Sequence, residues 1–265
     1  MSTTQYCLII ILISIPIASS IQCLTDCSNT LGNLSSPLII PSTCNQTVTA
    51  ASCQIFLIID YIQGSLFYSF TTFSFIPVDK ETNSIIFRFN PNNSTSFTSQ
   101  FTYACYDKDN CSSIYAKTFN YSIYNHQLLR TELESLLVSR TNDDVACFYS
   151  KQDIRQCKIP TIQGACSYSQ VLLGNKRLTQ SCTNTNDSLV NQIQIYDSYR
   201  SAKFDYQCNR SLCNGYLTAS ELKRILFKYN VTKTLDGRLL LNTSARLTYS
   251  FFILLIICIL QKYMH

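Results

Sequence analysis

The chain has 265 residues and a formal charge of +5, from 21 Lys and Arg against 16 Asp and Glu. The cations are scattered, so nothing in the chain would track a phosphate backbone, and a nucleic-acid partner is not expected. Two histidines and six glycines leave little material for acid–base or phosphate-cradling sites, whereas 14 cysteines point to an oxidising compartment.

Residues 1–20 read as a signal peptide. Leu8 to Ile17 is apolar but shorter than the ~20 residues a bilayer core requires. Ala18 and Ser20 put small residues where a signal peptidase cuts, although the first six residues carry no Lys or Arg. An uncleaved anchor is the competing reading. Cys7 falls in this segment and Cys258 in a C-terminal apolar run, which leaves an even set of twelve between them. These are Cys23, Cys27, Cys44, Cys53, Cys105, Cys111, Cys147, Cys157, Cys166, Cys182, Cys208 and Cys213. Without a Cys-x2-Cys pair they read as disulfides, not metal ligands.

Six cysteines lie on each side of Thr141–Asp144, and the two sides echo each other. Eight residues separate Cys44 from Cys53 and Cys157 from Cys166, and Phe101-Thr-Tyr103-Ala-Cys105 parallels Phe204-Asp-Tyr206-Gln-Cys208. The first side, however, opens with Cys23 and Cys27 where the second has Cys147 and a later Cys182. The expected fold is mainly β: two small disulfide-rich β modules in tandem, 21–140 and 141–236, each followed by a short α-helix, with hydrophobic segments at both chain ends. Expected strands are Gln54–Ile62, Ser65–Ile76, Ser84–Phe89 and Ser96–Tyr103, then Tyr168–Leu173, Leu189–Tyr196 and Lys203–Cys208, each rich in Ile, Phe, Tyr or Thr. Capping boxes at Thr131–Glu134 and Thr218–Glu221 mark the two helix starts, and Leu222, Ile225, Leu226 and Tyr229 share one face of the second. The short separations make Cys105–Cys111 and Cys208–Cys213 local bridges; the other pairings stay open.

Ten Asn-x-Ser/Thr acceptors make a glycosylated surface the expectation. Asn33, Asn45, Asn92, Asn93, Asn120, Asn186, Asn209 and Asn230 are the candidates in the body. Asn92 and Asn93 overlap and share one glycan, and Asn110 is disfavoured if Cys111 is bridged.

Ile21-Gln-Cys23-x3-Cys27 and Cys208-x4-Cys213-Asn214 resemble the Ly6/uPAR three-finger family, which opens on a close cysteine pair and closes on Cys-x4-Cys-Asn. Cys105-x5-Cys111 is similar, with Ser112 replacing the Asn. The resemblance covers the module ends only, and each module has fewer cysteines than the family pattern. It implies a buried, structural Asn214, and many members carry a GPI anchor.

Residues 237–265 read as a linker and a membrane-attachment segment. Asn242-Thr-Ser244 suits a GPI attachment site, followed by a spacer and an apolar tail from Phe251 to Leu260. A single-pass helix from Leu247 to Tyr263, with Lys262 reaching the cytoplasmic interface, is the alternative.

Little chemistry is on offer. His126 is read as a surface residue at a helix start rather than as a general base. Asn214–Glu221 copies the end of an EF-hand loop, but Arg210 and Leu212 occupy the first ligand positions, which repels calcium. Tyr115, Tyr121 and Tyr124 form a candidate binding face whose competing role is core filling. No catalytic residue, metal or cofactor is expected. The chain reads as a glycosylated plasma-membrane protein exposed to the exterior, for recognition, adhesion or modulation of a membrane partner, with an extracellular protein as ligand. The alternatives are an anchored extracellular enzyme or inhibitor domain, and a protective coat glycoprotein.

Overall fold

Alternation decides the strands. In Ser52–Asp60 every second side chain from Cys53 to Ile59 is buried while the neighbours are half exposed, the period of a strand lying against a core. A computed structural model describes residues 20–32, 38–77, 79–89, 95–119, 126–139, 145–149, 153–157, 164–183 and 191–240. The expected signal peptide, the C-terminal apolar segment with Asn242, sequons Asn33, Asn92, Asn93, Asn120 and Asn186, and Tyr121 and Tyr124 lie outside the described residues. Among the described residues no helix is long and apolar enough to cross a membrane.

The first half comprises β1 (Ile21–Leu24), β2 (Cys27–Leu31), β3 (Thr47–Ala50), β4 (Ser52–Asp60), β5 (Ser65–Phe73), β6 (Glu81–Phe89) and β7 (Ser96–Cys105), then α1 (Cys111–Thr118) and α2 (His126–Leu137). The second comprises β8 (Val145–Phe148), β9 (Ile154–Cys157), β10 (Ala165–Val171), β11 (Leu178–Thr183), β12 (Asn191–Ser198), β13 (Ala202–Cys208) and α3 (Tyr216–Lys228). The fold is mainly β, with one helix after the last strand of the second half and two after that of the first.

The two halves repeat one topology. In the first the strands run β6-β7-β4-β5 with β2 outside β5; in the second they run β12-β13-β10-β11. Cys53 faces Cys105 and Cys166 faces Cys208 across matching strand pairs. The halves are joined edge to edge, because β6 pairs antiparallel with its own counterpart β12 to complete a nine-stranded sheet. Ser84 faces Gln100 and Tyr196 faces Lys203, the residues before Phe101 and Phe204, so Ser84 and Tyr196 are counterparts; they also face each other. The junction is thus a pseudo-two-fold contact of the kind that builds symmetric dimers, contained in one chain.

One buried cluster runs across the junction. It takes Ile55, Leu57, Tyr68 and Phe70 from the first half and Ile193, Ile195, Phe204 and Tyr206 from the second. Leu129, Leu133 and Leu137 of α2 and Leu222, Ile225 and Leu226 of α3 belong to it as well. Burying each large side chain contributes ~1.5–3 kcal/mol, so the halves stabilise each other through a shared interior. Glu132 of α2 accepts from Lys228 Nζ at 2.6 Å and from Tyr229 Oη at 2.8 Å, tying the two helices at their surface.

Both helices begin earlier than their capping boxes predict. Thr131 lies inside α2, its Oγ1 turned back to the Gln127 carbonyl at 2.9 Å. Thr218 is the third residue of α3, whose N-cap is Gly215, and Glu221 pairs with Arg224. No sequence signal marked α1. Asn110 in the left-handed region (φ 50°) turns the chain into it, and the Asn110 carbonyl accepts from Ser113 and Ile114.

Candidate functional site

The twelve cysteines of the body form six disulfides, including the two local bridges Cys105–Cys111 and Cys208–Cys213. Cys23–Cys53 and Cys147–Cys166 are equivalent, since each ties the first strand of its half to the strand that faces the local bridge. The third pair differs. Cys27–Cys44 fastens β2, while Cys157–Cys182 fastens β9 to β11. Cys53 faces Thr72 and Cys166 faces Cys182, so the first half has Thr72 where the second has Cys182. This resolves the mismatch of leading cysteines seen in the sequence.

Asn214 follows the second local bridge and is fully buried. Its Oδ1 accepts from Phe148 N at 2.9 Å, and its Nδ2 donates to the Phe148 and Ser167 carbonyls at 2.8 and 3.0 Å. Its own carbonyl accepts from Gln180 Nε2 at 2.6 Å. The Asn214 carboxamide thus joins β8 and β10, and its main-chain carbonyl adds β11, at the start of α3. Ser112, its counterpart, is equally buried, but its Oγ has no hydrogen-bond partner.

Beside this knot lies a cleft of about 660 Å³, walled by Phe148, Leu178, Gln180, Leu212 and the N-cap and first turn of α3, Gly215–Thr218. Gly215 is required there, since a Cβ would come within 2.9 Å of the Phe148 ring. Tyr216 and Leu217 stand 74% and 83% exposed at its mouth, with Leu178 and Leu212 partly exposed around it. Tyr206 Oη donates to the Cys213 carbonyl behind it at 3.0 Å, and burial raises the Tyr206 pKa above its ordinary value. The sequence missed this cleft because its walls come from three separate segments. The nearest signal was Tyr216-Leu217, an apolar pair at the start of α3.

The cleft opens beside β11, the end strand of the sheet. Val171 N donates to the Arg177 carbonyl, and antiparallel alternation then turns Thr179 and Ser181 towards β10. Leu178, Gln180 and Cys182 present their main-chain groups outward. In the first half the matching edge is filled: β2 pairs with β5, Cys27 facing Phe70 and Asn29 facing Tyr68. Phe70 and Tyr68 are the counterparts of Gln180 and Leu178.

The other candidate residues fall elsewhere. Asn45 and Asn230 are exposed and open to a glycan. Asn209 is 7% exposed, and its Oδ1 accepts from Ser139 N at 2.7 Å. Asn110 is partly buried beside the bridged Cys111. His126 is half-buried rather than exposed, with a shielded Nδ1 and its ring centroid 6.4 Å from that of Tyr61. Arg210 Nη1 donates to the Ser135 carbonyl at 2.7 Å and Glu221 faces Arg224, so the EF-hand-like stretch converges on no common point. Tyr115 stacks on Tyr103 at 3.8 Å, and its hydroxyl donates to Glu81, which is a packing role. Burial, foremost, and the Glu81 carboxylate raise its pKa above the ordinary value.

No family model, no curated protein and no solved structure matches this chain.

Proposed function

We propose that the chain is a non-catalytic, glycosylated recognition protein held at the outer face of the plasma membrane by its C-terminus, with the cleft beside β11 as its contact for an extracellular partner. The observation that carries this reading is the exposure of Tyr216 and Leu217, at 74% and 83%, over a preformed apolar cleft. Exposed aromatic and aliphatic anchors beside a pocket are the pattern of an interaction surface. Six disulfides support an extracellular setting. Three hairpins in the second half, and a buried Asn after its last bridge, agree with the three-finger resemblance.

The position of the chain exit fits the same reading. Leu239 and Leu240 donate their N–H groups to Asp197 on β12, and the apolar segment begins at Leu247. The cleft lies at the N-terminal end of α3, whereas the last described residues are bound to β12.

The test expresses the full chain on cultured cells that lack it. Such cells are expected to gain adhesion to untransfected cells, to lose it in Tyr216→Ala/Leu217→Ala and to keep it in His126→Ala. Phosphatidylinositol-specific phospholipase C releases a GPI-anchored form and leaves a single-pass form in place. Unchanged adhesion in the cleft variant, or dependence on His126, overturns the reading.

A further inference from the structure

We propose that the outer edge of β11 takes up an extended segment of a partner protein by antiparallel strand addition, with an apolar side chain of that segment seated in the adjoining cleft. The inference rests on the recognition reading above and specifies how that surface binds. Its main support is inside the molecule, where the duplicated half already carries such a strand. β2 lies antiparallel on β5 at the matching edge, and no strand of the second half takes that place among the described residues.

Leu178, Gln180 and Cys182 offer outward donors and acceptors in a row, the template on which edge pairing forms. The side chains of Leu178 and Gln180 share one face of β11, and both line the cleft. In an added strand every second residue faces that same side. A residue placed there meets Phe148, Tyr216 and Leu217, so the segment that fits alternates apolar residues over the cleft.

Charge sets its direction and one end. Lys176 and Arg177 are exposed just before β11 and make no ion pair among the described residues. An antiparallel segment brings its C-terminal end to them, so an acidic residue there is favoured. A disulfide, Cys157–Cys182, fixes β11 to β9. This holds the edge in shape before anything binds, which lowers the ordering cost of strand addition.

The experiment selects random decamers displayed on phage against the immobilised full-length glycoprotein, then follows the enriched peptides by amide hydrogen exchange. Enriched sequences are expected to alternate apolar residues and end acidic. Binding is expected to slow exchange at Leu178, Gln180 and Cys182, with Thr179 and Ser181 already slow. Leu178→Pro removes an outward N–H without touching the β10 ladder and is expected to weaken binding about tenfold. Leu217→Lys, at an exposed position that does not threaten folding, is expected to weaken it several-fold. The proposal is overturned if no sequence is enriched, if protection appears elsewhere, or if neither variant changes affinity. Cell adhesion that depends on Tyr216 and Leu217, together with any of those results, removes strand addition and leaves the recognition reading standing.

Discussion

The Arg238 guanidinium forks onto the Asp197 carboxylate, Nε and Nη2 each 2.8 Å from an oxygen, where the two side chains are 7% and 0% exposed. The same carboxylate accepts the N–H groups of Leu239 and Leu240 at 2.8 and 2.9 Å. It therefore fastens the segment that leaves α3 onto β12, close to the junction of the halves. Removing one member of such a pair strands the other charge in the interior. Asp197→Ala is expected to lower stability by ~3–5 kcal/mol, read as the shift in urea midpoint. Asp197→Ala/Arg238→Leu is expected to recover part of that loss. A double variant no more stable than the single would contradict the assignment.

Asn214 and Ser112 are counterparts with opposite hydrogen-bond states. Asn214→Ala abolishes three side-chain bonds and leaves buried main-chain groups unpaired, at a cost of ~2–4 kcal/mol. Asn214→Asp is no substitute, because it turns an oxygen towards the Phe148 and Ser167 carbonyls. Ser112→Ala removes a hydroxyl that has no partner and is expected to stay within ~1 kcal/mol of the parent. Paired thermal melts decide between equal and unequal effects.

Lys223 sits in the wall between α3 and the sheet, its Nζ 2.6 Å from Gln170 Oε1 and 5.0 Å from the Phe204 ring centroid. Burial depresses its pKa below the ordinary 10.5. Between the folded value and 10.5 the unfolded chain binds more protons, so this group makes stability rise with pH across that interval. Lys223→Met is expected to remove the rise. Gln170 Oε1 keeps the Tyr168 hydroxyl at 3.0 Å, so stability at pH 7 is expected to change by no more than ~1 kcal/mol. An unchanged alkaline slope in stability measured from pH 7 to 10 would show that the lysine is not the source.

The two halves differ in one bridge, and that difference is measurable. Peptide mapping without reduction is expected to recover Cys27–Cys44 and Cys157–Cys182. Cys157→Ser/Cys182→Ser is expected to cost ~2–4 kcal/mol and to quicken amide exchange along β11, which loses its tether to β9. Exchange that loosens β5 instead would contradict the assignment.

Strand locations were legible where the pattern is local. Gln54–Ile62, Ser96–Tyr103 and Lys203–Cys208 fall on β4, β7 and β13 within two residues, because alternation and β-branched content sit in the strand itself. Short strands β1, β3, β8 and β9 were not, since four residues hold too little alternation to stand out. Helix starts were misplaced because Thr131 and Thr218 fit a cap by sequence while the fold puts the entrance elsewhere: a Gly215 turn held by Asn214 for α3. The cleft was illegible for a similar reason. Tyr216 and Leu217 read as ordinary apolar residues, and only the arrangement of β8, β11 and the Cys208–Cys213 loop leaves them uncovered.

What the sequence determined by itself was the β character and the two local bridges, which depend on residues near one another in the chain. Tertiary structure alone decided that β6 meets its counterpart β12, that both halves share one interior, and that Asp197 reaches Arg238 across 41 positions. It also decided that, among the described residues, no strand takes in the second half the edge place that β2 takes in the first. Pairing between distant segments is set by which faces and edges remain after local structure has formed, and no short window of residues carries that information.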